Sequence, residues 1–139
     1  MKIIDEGAFS QSSVSTLSIP KTVTILGKKA FSNCNSLIEI QFSEDSQLHT
    51  IEPWSFSCSS IETITIPSKI CKIENNVFNQ CGSLRTVNFL PDSQLIIIDN
   101  SSFKGSSTES ITIPKHVIQI GDRAFSYCKK LKRVKFDKD

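Results

Sequence analysis

Five cysteines and two histidines are the residues of this chain that would bind a metal ion or form disulfides. A structural zinc site requires clustered ligands, commonly with two cysteines at a Cys-x-x-Cys spacing. The sequence contains no Cys-x-x-Cys, and His49 and His116 lie in unrelated sequence contexts. We therefore predict no metal site and no cofactor, and we expect both histidines at the surface.

Three of the cysteines, Cys34, Cys81 and Cys128, recur 47 residues apart, which indicates a repeat. If each 47-residue period forms two rungs stacked about 4.8 Å apart, these cysteines lie about 10 Å from one another. That separation exceeds the ~7 Å limit for a disulfide. We expect the three thiols to be buried, free and packed as small hydrophobic groups. Cys58 and Cys71 occupy other positions of the repeat.

Enzyme signatures are absent from the sequence. The segment Gly27-Lys28-Lys29 lacks both the upstream glycine and the following serine or threonine of a phosphate-binding loop. None of the serines lies in a nucleophile elbow. We therefore predict that the chain is not an enzyme. One sequon begins at Asn100, and its glycosylation would require a secretory context.

Phenylalanines recur at alternating intervals of 22 and 25 residues, and a period of this size is typical of a solenoid. The six residues of this series are Phe9, Phe31, Phe56, Phe78, Phe103 and Phe125. The residue before each phenylalanine is alanine or serine, or valine at Val77. We expect these small residues to let a short helical turn pack close to the sheet. Between them lie short segments in which apolar and polar residues alternate, such as Leu17-Ser18-Ile19. This alternation predicts one strand per unit, with the phenylalanine rings stacked in a common interior.

Two versions of the unit alternate along the chain. The first has a proline directly after its strand, whereas the second has a longer turn, Ser43–Gln47 or Leu90–Gln94. We predict first-type units at 14–36, 61–83 and 108–130, second-type units at 37–60 and 84–107, and partial second-type units at 1–13 and 131–139. The units follow one another without a linker, which predicts a single domain over residues 1–139.

Two segments carry the clearest copies of the motif, Leu17-Ser-Ile-Pro-Lys-Thr-Val-Thr-Ile-Leu-Gly-Lys-Lys-Ala-Phe-Ser-Asn-Cys34 and Ile111-Thr-Ile-Pro-Lys-His-Val-Ile-Gln-Ile-Gly-Asp-Arg-Ala-Phe-Ser-Tyr-Cys128. This pattern resembles the BspA-like leucine-rich repeats, a class with units of about 23 residues. The resemblance implies a mainly β fold with short helical turns, coiled into a curved right-handed solenoid of about five to six repeats. Second-type units depart from the family pattern, with Ser59 and Ser106 in place of the cysteine.

The resemblance also implies a class of function, since proteins of this family look like surface or secreted antigens that adhere to host proteins and cells. We expect a non-catalytic protein-interaction module at the cell surface, with a protein partner such as a host or extracellular-matrix protein. The alternative is a cytoplasmic leucine-rich-repeat scaffold, which the free cysteines favour. The binding surface that we predict is the polar side of the strands, called here the strand face: Glu39, Gln41, Glu62, Thr63, Thr65, Arg85, Thr86, Asn88, Glu109, Thr112, Lys132 and Arg133.

Composition excludes several other partners. A net charge of +2 is too small to predict nucleic-acid binding, and no apolar run approaches the ~20 residues that span a membrane. The first residues, Met1–Glu6, do not resemble a signal peptide, and they already match the repeat. We expect either a short intracellular protein or a piece of a longer one. Both ends stop within a unit without a cap, which predicts self-association through the ends of the solenoid.

Overall fold

The computed structural model describes residues 1–138 and contains, in that range, twelve β-strands and no helix. Asp139, the last residue of the predicted unit 131–139, lies outside the described residues. The strands are β1 (Lys2–Ile4), β2 (Thr16–Ile19), β3 (Val23–Leu26), β4 (Glu39–Phe42), β5 (Thr50–Ile51), β6 (Thr63–Ile66), β7 (Lys72–Ile73), β8 (Thr86–Phe89), β9 (Ile97–Ile98), β10 (Ser110–Ile113), β11 (Gln119–Ile120) and β12 (Arg133–Phe136).

The strands pair in parallel and form two opposite faces of the solenoid. The four-residue strands β2, β4, β6 and β8 make one sheet, and β10, which lies beside β8, pairs with β12. Strands β1, β3 and β5, and then β7, β9 and β11, make the opposite face. Leu17 pairs with Ile40, and Ile64 with Val87, so equivalent residues of successive units occupy one column. The predicted leucine-rich-repeat solenoid is confirmed.

Six phenylalanine rings form one continuous stack through the interior. From Phe9 to Phe125, consecutive ring centroids lie 5.3, 5.2, 5.5, 5.1 and 5.3 Å apart. The planes of each pair differ by at most 14°, in the pair Phe78–Phe103. The four inner rings are fully buried. Because burying one such ring contributes roughly 1.5–3 kcal/mol, the stack is a major source of stability for the four rungs whose rings are fully buried.

The segment around each ring is a pair of tight turns rather than the short helical turn that we predicted. In every rung the residues two before and two after the phenylalanine have left-handed backbone, as Lys29 (φ 59°) and Asn33 (φ 55°) do around Phe31. The phenylalanine N–H donates to the next rung, for example from Phe31 to the Ser55 carbonyl at 2.7 Å and from Phe78 to the Ser102 carbonyl at 2.8 Å. These turns therefore provide a third hydrogen-bonded side that connects successive rungs.

Cysteine and serine alternate in one column of the interior. The Cys81 thiol donates to the Phe56 carbonyl at 3.0 Å and lies 3.7 Å from the Ser59 hydroxyl. Cys34 and Cys128 make the equivalent bonds to the phenylalanine of the preceding rung. The serines in second-type units are thus the partners of the cysteines in first-type units. Cys34 and Cys81 are buried as predicted, and Cys128 is half-buried.

We expect the thiols to differ sharply in reactivity. Burial raises the pKa of Cys81 to about 12, so only about 1 in 10⁴ of these thiols is ionised at pH 8. Cys58 and Cys71 are exposed. Alkylation at pH 8, followed by mass spectrometry of peptides, should label Cys58 and Cys71 quickly and Cys81 only in denaturant. Labelling of Cys81 as fast as that of Cys58 in the native chain would contradict the buried column.

Candidate protein-binding surface

All twelve residues of the predicted strand face lie on the outer side of the longer strands or directly before them. The strand pairing brings Glu39 opposite Thr63, Thr63 opposite Thr86, and Thr65 opposite Asn88. Nine of the twelve are exposed, and Glu39, Glu62 and Thr63 are partly exposed. The period-two pattern explains this arrangement, since alternate residues of a strand point to opposite faces of the sheet. Whether this surface binds a partner stays a prediction.

Charged groups of neighbouring rungs approach one another on this face. Arg85 Nη2 lies 3.4 Å from Glu62 Oε1. These two residues are the first pair of a series in which the sign of the charge alternates from rung to rung: Glu62, Arg85, Glu109 and Lys132. Within β4, the Gln41 amide donates to Glu39 at 3.1 Å. Arg85 is exposed and Glu62 is partly exposed, so the ion pair contributes at most about 1 kcal/mol. These charges are therefore available to a ligand at little cost to the fold.

The longer turns of the second-type units divide the strand face into two grooves. The inner groove has a volume of 610 Å³ and lies between the turns at 43–46 and 90–92, with Thr63 and Thr65 on its floor. The outer groove has a volume of 1060 Å³ and lies on the other side of the turn at 90–94, over β8 and β10. Both volumes are in the range of ligand pockets, and both grooves are open along the sheet.

The turns that wall these grooves are tied to the rungs before them. The Ser68 hydroxyl donates to Asp92 Oδ1 at 2.7 Å, and the Gln94 N–H donates to the Ser68 carbonyl at 2.9 Å. Lys21 Nζ binds Asp45 Oδ2 at 3.2 Å in the same way. An aspartate in each of these two turns therefore connects the wall to the rung before it.

Sequence reasoning missed the residues of these walls. Leu90, Pro91 and Asp92 line both grooves, and His116, which is exposed as predicted, lines the outer one. The available signal was the extra length of the turn in every second unit. Lys132 and Arg133, which we placed on the strand face, line neither groove.

The opposite face carries a separate electrostatic cluster. Lys72 Nζ lies 3.2 Å from both Asp99 Oδ2 and Glu74 Oε2. The hydrogen bond with Asp99, followed by that with Glu74, raises the pKa of Lys72 above its ordinary value. Its stabilising contribution is therefore present below the ordinary pKa and is lost only as the pH rises through the raised one. Because Lys72 is partly exposed, this contribution is small.

Within the described residues, no three His, Cys, Asp or Glu side chains are grouped so as to hold a metal ion. The same part of the chain has no helix with the length and apolar character needed to cross a membrane.

The repeat sequence of this chain matches a known protein family. The model of the BspA type leucine-rich repeat region matches the chain in six copies, over residues 2–132. The solved structure of the pneumococcal vaccine antigen PcpA is similar to this chain with a TM-score of 0.91 and 27% sequence identity, covering 98% of this chain and 36% of that one. No curated protein matches the chain by sequence.

Two further solved structures are similar over most of the chain. A leucine-rich repeat protein from Bacteroides ovatus has 30% identity and a TM-score of 0.79, covering 87% of this chain and 33% of that one. A leucine-rich cell surface protein from Faecalibacterium prausnitzii has 25% identity and a TM-score of 0.70, covering 99% of this chain and 43% of that one. The chain thus spans less than half the length of each of these relatives.

Proposed function

This chain belongs to the BspA-type leucine-rich repeat family, and we propose on that premise that it is a non-catalytic module that binds a protein partner through its strand face. Repeat arrays of this kind use extended surfaces rather than enclosed sites for recognition. The observation that carries the proposal is the pair of grooves, in which an ordered row of outward strand residues forms the floor and the long turns form the walls.

The chemistry of the grooves favours a polypeptide ligand. Threonine and asparagine side chains on the floor, such as Thr65, Thr86 and Asn88, donate and accept hydrogen bonds without a fixed charge. Phe42 and Leu90 supply apolar contact at the edges of the inner groove. Exposed charges of both signs, including Glu62 and Arg85, border the outer groove and would orient a partner. A mixed surface of this kind is typical of protein–protein recognition.

The combined substitution Glu62→Ala, Arg85→Ala and Thr86→Ala tests this proposal. These side chains are wholly or partly exposed, so we expect the melting temperature to stay nearly unchanged. Removing an oriented ion pair and a central hydroxyl should weaken binding by about tenfold or more. The measurement is binding of the labelled chain to surfaces coated with fibronectin, laminin or collagen, and to intact host cells.

A matched variant on the opposite face serves as the control. His49→Ala combined with Gln119→Ala changes two exposed side chains, one directly before β5 and one in β11, and neither lines a groove. If the proposal holds, this variant binds as the wild type does. Equal binding by both variants, or equal loss in both, would overturn the role of the strand face.

We also propose a location at the cell surface. The similarity to a vaccine antigen and to a cell surface protein supports this placement. The competing function is an intracellular scaffold. Antibody labelling of intact and of permeabilised cells separates the two, since a surface protein is labelled equally in both and a scaffold only after permeabilisation.

Self-association through the ends of the array is a further part of the proposal. Apolar residues that are buried in the middle of the array, such as the inner-facing isoleucines of β6 and β10, have exposed counterparts in β12. Exposed apolar surface next to a strand edge without a neighbour favours association.

A further inference from the structure

The inner groove lies over rungs that each have another rung on both sides, and its shape comes from one low rung between two higher ones. The first-type unit 61–83 has a short turn at 67–69, whereas the second-type units on either side have the long turns at 43–47 and 90–94. Because neighbouring rungs are about 4.8 Å apart, the two long turns lie about 10 Å apart. That distance leaves room for one extended polypeptide chain between them.

The fixed charges that line the inner groove are all negative. Glu39 lies on the floor in β4, whereas Glu44 lies in one wall and Asp92 in the other. Among the described residues, no lysine, arginine or histidine lines this groove. The outer groove differs, because Arg85 and Lys115 line it together with acidic residues. The inner groove is therefore complementary to a positively charged ligand.

The ion pairs within the described residues do not involve the three carboxylates of the inner groove. The side-chain donors that bind Glu39 and Asp92 are neutral, an amide at 3.1 Å and a hydroxyl at 2.7 Å. Lys69, on the low rung, donates to the neutral side chain of Gln47 at 2.5 Å. A cationic group of a ligand can therefore pair with these carboxylates without breaking an ion pair of the fold.

Apolar side chains line the same groove as these carboxylates. They include Phe42, Pro67 and Leu90, of which Phe42 and Leu90 are partly exposed. Lysine and arginine side chains combine an apolar methylene stem with a charged end. The stem would contact Phe42 and Leu90, while the charged end reaches the carboxylates. An arginine guanidinium would also stack on the Phe42 ring.

We propose that the inner groove binds an extended, basic segment of the partner protein, whose lysine or arginine side chains face Glu39, Glu44 and Asp92. This inference rests on the proposed function, since it names the chemistry of the segment that the strand face binds. An acidic segment is repelled from the same groove by its like charge. Thr63 and Thr65, on the floor between the walls, offer hydroxyl groups to the backbone of the bound segment.

The probe for this inference is a short fluorescein-labelled peptide in which lysine alternates with threonine. Its control is the same peptide with every lysine acetylated, because acetylation removes the charge. We expect the lysine peptide to bind at least ~10-fold more tightly than the acetylated one, and its binding to weaken as salt screens the charges. Fluorescence anisotropy measures both affinities. Equal affinities, or no binding of the lysine peptide, would overturn the inference.

The combined variant Glu39→Gln, Glu44→Gln and Asp92→Asn, called here the inner-groove variant, locates the binding site. Each replacement removes a carboxylate and keeps an oxygen acceptor, so the bonds from Gln41 and Ser68 can remain. The melting temperature should therefore match that of the wild type. We expect the inner-groove variant to bind the lysine peptide at least ~10-fold more weakly than the wild type does. An unchanged affinity would contradict the proposed site.

A control variant shifts the net charge by the same amount outside the grooves. It neutralises three exposed acids, none of which lines either groove: Asp5→Asn, Glu6→Gln and Asp122→Asn. This variant should bind the lysine peptide as the wild type does. Equal weakening in the control and in the inner-groove variant would mean that the peptide follows the overall charge of the chain, and it would overturn the inference.

Binding to the coated proteins and host cells separates this inference from the proposed function. If the combined variant at residues 62, 85 and 86 loses binding while the inner-groove variant keeps it, the proposed function holds and the basic-segment inference is overturned. Loss of binding in both variants supports both. If neither variant loses binding, the strand face is not the binding surface and both are overturned.

Discussion

Replacing Phe78 with alanine is expected to lower the free energy of unfolding by about 3–5 kcal/mol. The ring is fully buried between Phe56, at 5.5 Å, and Phe103, at 5.1 Å. Removing the ring reduces the apolar surface that is buried on folding, leaves a cavity and interrupts the stack on both sides. The gap lies in the middle of the array, where relaxation would require two neighbouring rungs to move. Urea unfolding followed by circular dichroism measures the loss.

Phe9→Ala is the matched control, since it makes the same chemical change at the end of the same stack. Phe9 is 37% exposed and stacks on one ring only. We expect a loss of about 1–2 kcal/mol, because less apolar surface is buried and water fills the gap. Equal losses in the two variants would mean that the central ring is not enclosed by its neighbours, against the stacked interior on which the fold depends.

The ring stack and the longer strands were predictable from the sequence because their signals are local and repeated. A phenylalanine recurs at fixed intervals, and each strand alternates apolar with polar residues, as Thr63–Ile66 does. Stacking of equivalent residues then follows from the geometry of parallel strands at about 4.8 Å spacing. Contacts between units that are far apart in the sequence do not have to be predicted, since each unit packs only on its neighbours.

The turns around the rings were not predictable in the same way. Left-handed backbone is normally indicated in a sequence by glycine or asparagine. Some rungs do have such a residue two positions before or after the ring, as Gly7, Asn76 and Gly105 are. Other rungs have Trp54 or Cys58 at equivalent positions. These residues give no local signal for this conformation, and the hydrogen bonds to the next rung stabilise it. The left-handed conformation of these residues therefore depends on tertiary contacts, and the residue types alone do not indicate it.

The grooves of the candidate site were predictable only in part. Periodicity placed Thr65 and Thr86 on an outward column, and the structure places both there. The length of the turn at Leu90–Gln94 was evident, but its direction over the sheet depends on the bond from Ser68 to Asp92, which joins residues 24 positions apart. Sequence reasoning therefore found the floor of each groove and missed its walls.

Stability and the proposed recognition depend on different side chains in this array. The interior columns at Ile64 and Phe78 are at most 1% exposed, whereas Arg85 and Thr86 project outward. Changes at outward positions alter little of the packing, so the partner can change while the fold is retained. For the same reason, the residues that define the family carry no information about the ligand.

Gly27→Ala is expected to lower the free energy of unfolding by about 1–3 kcal/mol, although it adds a single methyl group. A Cβ at this position would lie 2.7 Å from Asp5 C, 2.7 Å from Glu6 N and 2.8 Å from Ile4 O. All three are backbone atoms, so the methyl group fits only if the first rung moves away. The Gly27 N–H donates to the Ile4 carbonyl at 2.7 Å, and this movement would lengthen that bond.

Gly82→Ala is the matched control for this effect, because a Cβ there meets nothing within 4 Å. With no contact to relieve, alanine restricts the unfolded chain and should leave stability unchanged or raise it by about 0.4–1 kcal/mol. Urea unfolding of both variants separates close backbone approach from the general effect of replacing glycine. If Gly27→Ala proved as stable as Gly82→Ala, the first rung would be free to shift outward, and close packing between residues 4–6 and Gly27 would not be required for the fold.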